Sequence, residues 1–151
     1  VKTVKKCTGR ELSKFQKLIY QHYQNKGRTL PWRETRNPYY ILVSEIMLQQ
    51  TQVERVIEKY QQFIALFPDI DTLDRSSLQK ILKVWQGLGY NRRALALKKM
   101  ARIIVEAYRG EIPRSVEELV KLPGIGYTTA SEIAAFAFNQ PAVFIETNIR
   151  S

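Results

Sequence analysis

The stretch Leu122-Pro123-Gly124-Ile125-Gly126-Tyr127-Thr128-Thr129-Ala130 decides how this chain is read. Proline stiffens the turn and two glycines can take backbone conformations closed to other residues. A helical pattern precedes the turn and another follows it. Ser115 with Glu118 three positions on is a capping-box pattern, and the short helix it starts is expected to end at Leu122. Tyr127 to Phe138 is the next helix. The predicted helix–hairpin–helix therefore covers about 115–138. Gly126 leaves the first N–H groups of the second helix uncovered, and such groups can meet an anion. An ordinary helix–helix corner would look similar. The carbonyls of Val120, Leu122 and Ile125 could also converge on a monovalent cation.

Charge favours the anion. Lys plus Arg number 24 against 14 Asp plus Glu, a formal net charge of +10 over 151 residues. That balance points to a polyanionic partner such as nucleic acid. The composition is otherwise that of a globular protein, and the length suffices for one domain with a real core. No apolar run is long enough to span a membrane, and none near the N-terminus resembles a signal peptide. Cys7 is the only cysteine and His22 the only histidine. A cysteine metal cluster, an internal disulfide and most histidine-based zinc sites are therefore excluded within these residues. An intracellular location and a monomer are expected. Val1 and the abrupt end after F-I-E-T-N-I-R-S suggest a fragment of a longer protein.

Helical periodicity runs through the rest. Leu12, Phe15, Leu18, Ile19 and Tyr23 form one stripe of a helix closed by Gly27. Tyr39 to Gln49 is nearly all apolar, the pattern of a helix buried in the middle of a fold. Further helices are predicted over Val53–Phe67, from Ser76 or Ser77 to Trp85, and over Asn91–Tyr108. Asp69 to Asp74 reads as a short turn. The chain is predicted to be all-α, a multi-helix bundle of seven to nine helices. Its division is 1–29, 30–144 and 145–151.

Glu45 lies one turn before Gln49 in the apolar helix. A buried carboxyl with no cationic partner holds its proton toward neutral pH, as a general acid must. The alternative is a carboxyl satisfied by Ser44, Tyr40 or the backbone. Gln49, Gln50, Thr51 and Gln52 form an amide and hydroxyl cluster able to read base edges or fill the gap left by an extruded base. A polar helix end is the plainer reading.

These features together resemble the helix-hairpin-helix base-excision DNA glycosylases, above all the MutY-type adenine glycosylases. The matching motifs are L-P-W-R at 30–33, N-P-Y at 37–39, S-E-I-M-L-Q-Q-T-Q-V at 44–53 and F-P at 67–68. W-Q-G-L-G-Y at 85–90, R-A at 93–94, L-P-G-I-G from 122, T-A at 129–130 and F-I-E-T-N-I-R at the end complete them. The resemblance implies that Glu45 protonates the target adenine, opposite guanine or 8-oxoguanine, and helps handle the attacking water. It implies that Glu146 stabilises the positive charge that develops on the sugar, with Asn148 orienting it. The family pattern has aspartate where this chain has Glu146, so natural compensation, replacement, or damage binding without efficient turnover are all open. Thr128 stands where bifunctional relatives carry a Schiff-base lysine, which implies hydrolysis with little intrinsic strand cleavage. The resemblance assigns Gln49, Gln50 and Tyr90 to the interface with double-stranded DNA, which is expected to take in Thr51, Gly124, Gly126, Tyr127 and Thr129 as well; Arg92 and Arg93 could hold phosphates nearby or simply form a solvated basic helix start. Arg33 and Trp32 fall at the base pocket, Trp32 with packing as its alternative. Lys98 and Lys99 would extend the positive face. An iron–sulfur cluster, where the family has one, would lie beyond residue 151, with no cofactor in the covered residues. A thymine or uracil mismatch glycosylase and a noncatalytic damage-binding module are the rival functions.

Overall fold

The computed structural model describes residues 8–143. Glu146, Asn148 and Cys7 lie outside them. Eight α-helices and one 3-10 turn make up the regular structure, with no β-strand among the described residues.

The middle of the fold is the helix that composition marked for burial. The 3-10 turn Pro31–Arg33 leads to α2, Pro38–Leu48. Proline at the first turn costs α2 no hydrogen bond, and the Asn37 side chain accepts from the N–H groups of Tyr39 and Tyr40. Tyr39, Ile41, Leu42, Val43, Ser44, Ile46 and Met47 are all buried. Full burial of a single aliphatic side chain stabilises by about 1.5–3 kcal/mol, so α2 anchors the core. Around it pack α3 (Val53–Leu66), α6 (Arg92–Tyr108) and α8 (Tyr127–Phe138). Phe63, Phe67 and Trp85 fill the space between α3 and α5 (Leu78–Trp85), with Phe63 edge-on to Trp85 at 6.0 Å. Ser77, rather than Ser76, caps α5.

Two boundaries differ from the sequence reading. Asp69–Asp74 is not a turn: Ile70–Arg75 forms α4. The Asp69 carboxylate accepts the Thr72 N–H at 2.6 Å, and Ile70 and Leu73, three apart, bury one face of this short helix against α6. Asp74 completes the junction by receiving Lys98 at 3.4 Å and Arg102 at 3.2 Å. Lys98 is thus turned inward to α4, leaving Lys99 exposed. The helix before the hairpin, α7, is Val116–Leu119 and stops a turn early, with Val120 and Lys121 in turns.

At the N-terminal end, α1 spans Gly9–Lys26 and buries none of its side chains. It begins with a full capping box between Thr8 and Glu11. Leu12, Phe15, Leu18, Ile19, Tyr20 and Tyr23 are all exposed along it.

Candidate active site

Glu45 and Gln49 are four residues apart, so they share one face of α2. That face meets α8. The Gln49 side-chain amide donates to the Gly124 carbonyl at 3.1 Å and to the Thr129 hydroxyl at 3.4 Å. One turn further back, Glu132 of α8 lies close enough to act on the Glu45 carboxyl. The two rungs, Gln49 with Thr129 and Glu45 with Glu132, make α2 and α8 antiparallel. They also set Thr128, one turn before Glu132, on the same side as the two carboxyls.

The Glu45 carboxyl is pushed up to about 8. Burial is the largest cause, followed by the charge of Glu132 and the hydrogen bond to it; the Arg33 guanidinium pulls the other way. The cationic neighbour missing from the sequence reading is therefore present, and burial outweighs it. Ser44 does not serve Glu45: its hydroxyl donates to the Ile41 carbonyl at 2.8 Å. Glu132 is a neighbour that the sequence does not point to. Its spacing of four from Thr128 in a helix that otherwise carries no charge was the available signal.

The hairpin divides its two glycines by role. Gly124 has φ +84°, a conformation that strains other residues, and a Cβ there would come within 3.0 Å of Ala96 on α6. Gly126 has φ −90°, which any residue adopts, and open space where a side chain would go. Its conformational freedom is not used. What its missing side chain does is leave the start of α8 uncovered. No side chain caps that end, and the first ladder bond runs from Ala130 N–H to the Gly126 carbonyl. The N–H groups of Tyr127, Thr128 and Thr129 thus point out of the helix without partners in its ladder. Tyr127 is exposed beside them, and Ile125 is buried beneath. The Leu122 carbonyl accepts the Ile125 N–H at 3.3 Å, which leaves it one lone pair.

Arg93 is where the structure departs most from expectation. It is 5% exposed and faces inward. Its guanidinium donates to the carbonyls of Ile46, Met47, Gln49, Leu88 and Gly89 and to the Thr51 hydroxyl. It is not free for a phosphate. It ties the end of α2 and the Gln49–Thr51 turn to the G-L-G turn before Tyr90. Tyr90, in the left-handed region at φ 47°, is 54% exposed and stands over Arg92 and Arg93 at 5.9 and 5.5 Å. Arg92 is exposed, as is Gln50, also left-handed at φ 55°. Trp32 is buried edge-on against Tyr60, with ring centroids 5.3 Å apart, so it packs the core rather than lining an open pocket. Arg33 is exposed, close enough to act on Glu45 and 5.9 Å from the Tyr23 ring of α1. His22 is exposed on α1.

Among the described residues, no group of three or more His, Cys, Asp or Glu side chains could hold a metal ion. No described helix is long and apolar enough to cross a membrane.

A half-buried acid facing a helix–hairpin–helix with a bare N-terminus is the arrangement to compare with known proteins. The model of the HhH-GPD superfamily base excision DNA repair proteins matches residues 43–151, which include the acid, the Gln49–Thr51 turn and the hairpin. The chain belongs to this superfamily. An adenine DNA glycosylase of Buchnera aphidicola is 47% identical over 137 residues, covering 90% of this chain and 39% of that protein. The adenine DNA glycosylase of Rattus norvegicus is 36% identical over 148 residues, covering 92% of this chain and 29% of that protein. This HhH-GPD chain therefore spans about two fifths or less of the curated relatives it matches. Among solved structures, a thermostable thymine-DNA glycosylase superposes with a TM-score of 0.87 at 30% identity, over 95% of this chain and 66% of that one. A trapped endonuclease III–DNA covalent intermediate superposes at 0.80 with 22% identity, over 94% of this chain and 66% of that one, a likeness of fold.

Proposed function

We propose that this chain is the catalytic part of a monofunctional DNA glycosylase. It hydrolyses the N-glycosidic bond of adenine mispaired with guanine or 8-oxoguanine in duplex DNA. The observation that carries the proposal is the Glu45 carboxyl, held protonated near neutral pH on the face of α2 that meets the hairpin. Adenine is a poor leaving group as an anion. Proton transfer from Glu45 to the base lets it depart neutral while the C1′–N bond breaks and its electron pair goes to the base. The sugar is left with oxocarbenium character, which a carboxylate can stabilise. Glu146 is assigned that role with Asn148 beside it. Water then adds at C1′ and gives its proton to the Glu45 carboxylate, which restores the acid. Thr128 supplies a hydroxyl but no amine, so no Schiff base forms.

DNA is held by several parts of the same surface. The free N–H groups of Tyr127, Thr128 and Thr129, opened by Gly124 and Gly126, grip one phosphate. A monovalent cation on the Val120, Leu122 and Ile125 carbonyls would be held beneath them. Arg92 adds positive charge. Gln49, Gln50, Thr51 and Tyr90 face the duplex at the lesion, and Arg33 borders the base beside Glu45. Residues 1–29 pack with a segment beyond residue 151, where an iron–sulfur cluster would also sit. The enzyme acts inside the cell as a monomer.

One observation supports a second reading. The likeness to a thymine-DNA glycosylase is high, and Tyr127 next to the hairpin suits such an enzyme, so thymine or uracil opposite guanine is the competing substrate. Duplexes carrying adenine or thymine opposite guanine or 8-oxoguanine, treated with hot alkali to reveal abasic sites, decide between the two. Release of adenine, lost in Glu45→Gln, is the expected result. Equal release by Glu45→Gln would overturn the assignment of Glu45. DNA binding without any base release would leave a damage-binding module instead.

A further inference from the structure

Gln49 follows the last residue of α2, and its side chain is half-buried against the hairpin while that of Gln50 is exposed. The Gln49 amide nitrogen donates to the Gly124 carbonyl at 3.1 Å and to the Thr129 hydroxyl at 3.4 Å. A carbonyl only accepts, so the nitrogen of the amide, and not its oxygen, must face Gly124. The Gly124 carbonyl shares a peptide plane with the Ile125 N–H, which donates to the Leu122 carbonyl at 3.3 Å. One rigid plane is therefore held at both ends, by Gln49 from outside the hairpin and by Leu122 from within. It is the plane that follows Gly124, whose φ of +84° sets the path of the hairpin. The main chain of Gln49 is fixed as well. Its carbonyl accepts from the Arg93 guanidinium, which also donates to the Thr51 hydroxyl at 2.8 Å. Gln49 stands one helical turn from Glu45 with backbone and side chain both engaged.

We propose that Gln49 is a positioning residue that locks the hairpin to the end of α2, and so sets the distance between the phosphate gripped at the start of α8 and the base presented to Glu45. The role rests on the reading of Glu45 as the general acid and of the hairpin as the phosphate grip. A nucleotide held at its phosphate by one element and at its base by another is placed only as well as the two elements are joined. Without the lock each grip survives, but the base stands off from the acid. A misplacement of about 1 Å can cost on the order of a hundredfold in rate. Duplex binding draws on the net positive charge and the free N–H groups, which the lock does not supply. The Gln49 amide therefore acts on the protein, and its effect falls on the chemical step.

The test uses Gln49→Met, which keeps the length and removes the donor, Thr129→Val, which removes the hydroxyl and keeps the backbone N–H, and the two combined. Each is measured for affinity to a duplex with adenine opposite 8-oxoguanine and for single-turnover base release at saturating protein. Gln49→Met should release base about tenfold to a hundredfold more slowly. Its affinity should stay within about threefold of the unaltered protein, a loss confined to the transition state. Thr129→Val should slow the unaltered protein but add nothing to Gln49→Met, the mark of two groups acting through one contact. In the unaltered protein, NMR of the labelled Gln49 side-chain amide should show signals displaced by Thr129→Val and held in place when a duplex carrying a tetrahydrofuran abasic site binds. Additive losses in the combined variant, a fall in affinity as large as the fall in rate, or a Gln49 amide that leaves the hairpin on binding the duplex would overturn the proposal. No base release from the unaltered protein, with the amide still seated on the hairpin, would instead sink the glycosylase reading. The positioning role would go with it.

Discussion

Replacing Arg93 by alanine should unfasten the Gln49–Thr51 and Leu88–Tyr90 turns before it touches Glu45. The guanidinium serves five carbonyls and one hydroxyl, drawn from α2, the turn after it and the G-L-G turn. A hydrogen bond to a charged group contributes about 1.5–3 kcal/mol. The bonds are not additive, and some freed carbonyls would find water, so the sum overstates the loss. Breaking a buried charged network typically costs about 3–5 kcal/mol, and that is the expected range here. Against a usual domain stability of about 5–15 kcal/mol, the protein should remain folded in the cold. Urea unfolding gives the stability difference. Amide hydrogen exchange locates it, with protection lost first at Gln49–Thr51 and Leu88–Tyr90. Arg93→Lys should recover little, because a single ammonium cannot span carbonyls on two turns. A loss below about 1 kcal/mol, or exchange unchanged at those two turns, would refute the reasoning.

Three other outcomes follow from the same geometry. Because folding raises the Glu45 carboxyl above its unfolded value, the protonated form is favoured, and stability is full below the unfolded range and falls as pH rises toward about 8. Glu45→Gln should therefore stabilise the protein above pH 8, by on the order of a few kcal/mol, with the gain fading toward pH 5 in melting experiments. Gly124→Ala should lower stability by about 1–2 kcal/mol through its left-handed backbone and its approach to Ala96, while Gly126→Ala should melt normally yet bind DNA more weakly with a shallower salt dependence. Thr128→Lys should form a borohydride-trapped adduct with substrate DNA that the unaltered protein does not.

What could be read from the chain alone follows from how local each signal is. Asn37-Pro38 before an apolar run fixes α2, and Gly126 before Tyr127 fixes the start of α8, because caps and breakers act within a turn. Asp69–Asp74 looks acidic and turn-like in sequence, yet Ile70–Arg75 is the helix α4. Its stability depends on Ile70 and Leu73 meeting α6, a contact the local sequence does not announce. Arg93 looked like one more cation at a basic helix start. Only the return of the α2 end beside it turns the guanidinium inward. Glu45 is legible as an acid withdrawn from water because its neighbours in α2 are apolar. Its neighbour from α8 is not, because Glu132 lies 87 positions away (132 − 45) and is brought to it by the antiparallel packing of α2 on α8.

The first helix has a consequence for how the protein melts. In a chain of residues 1–151 alone, α1 buries no side chain and draws nothing from the core, and most helical stability in proteins comes from such packing. Its capping box and charge placement sustain it at low temperature. Circular dichroism at 222 nm should then decline gradually ahead of the main transition, while near-ultraviolet signals from Trp32 and Trp85 stay flat until the core gives way. The two probes would report different midpoints, and a single unfolding free energy would describe the body of α2 to α8 but not the whole chain.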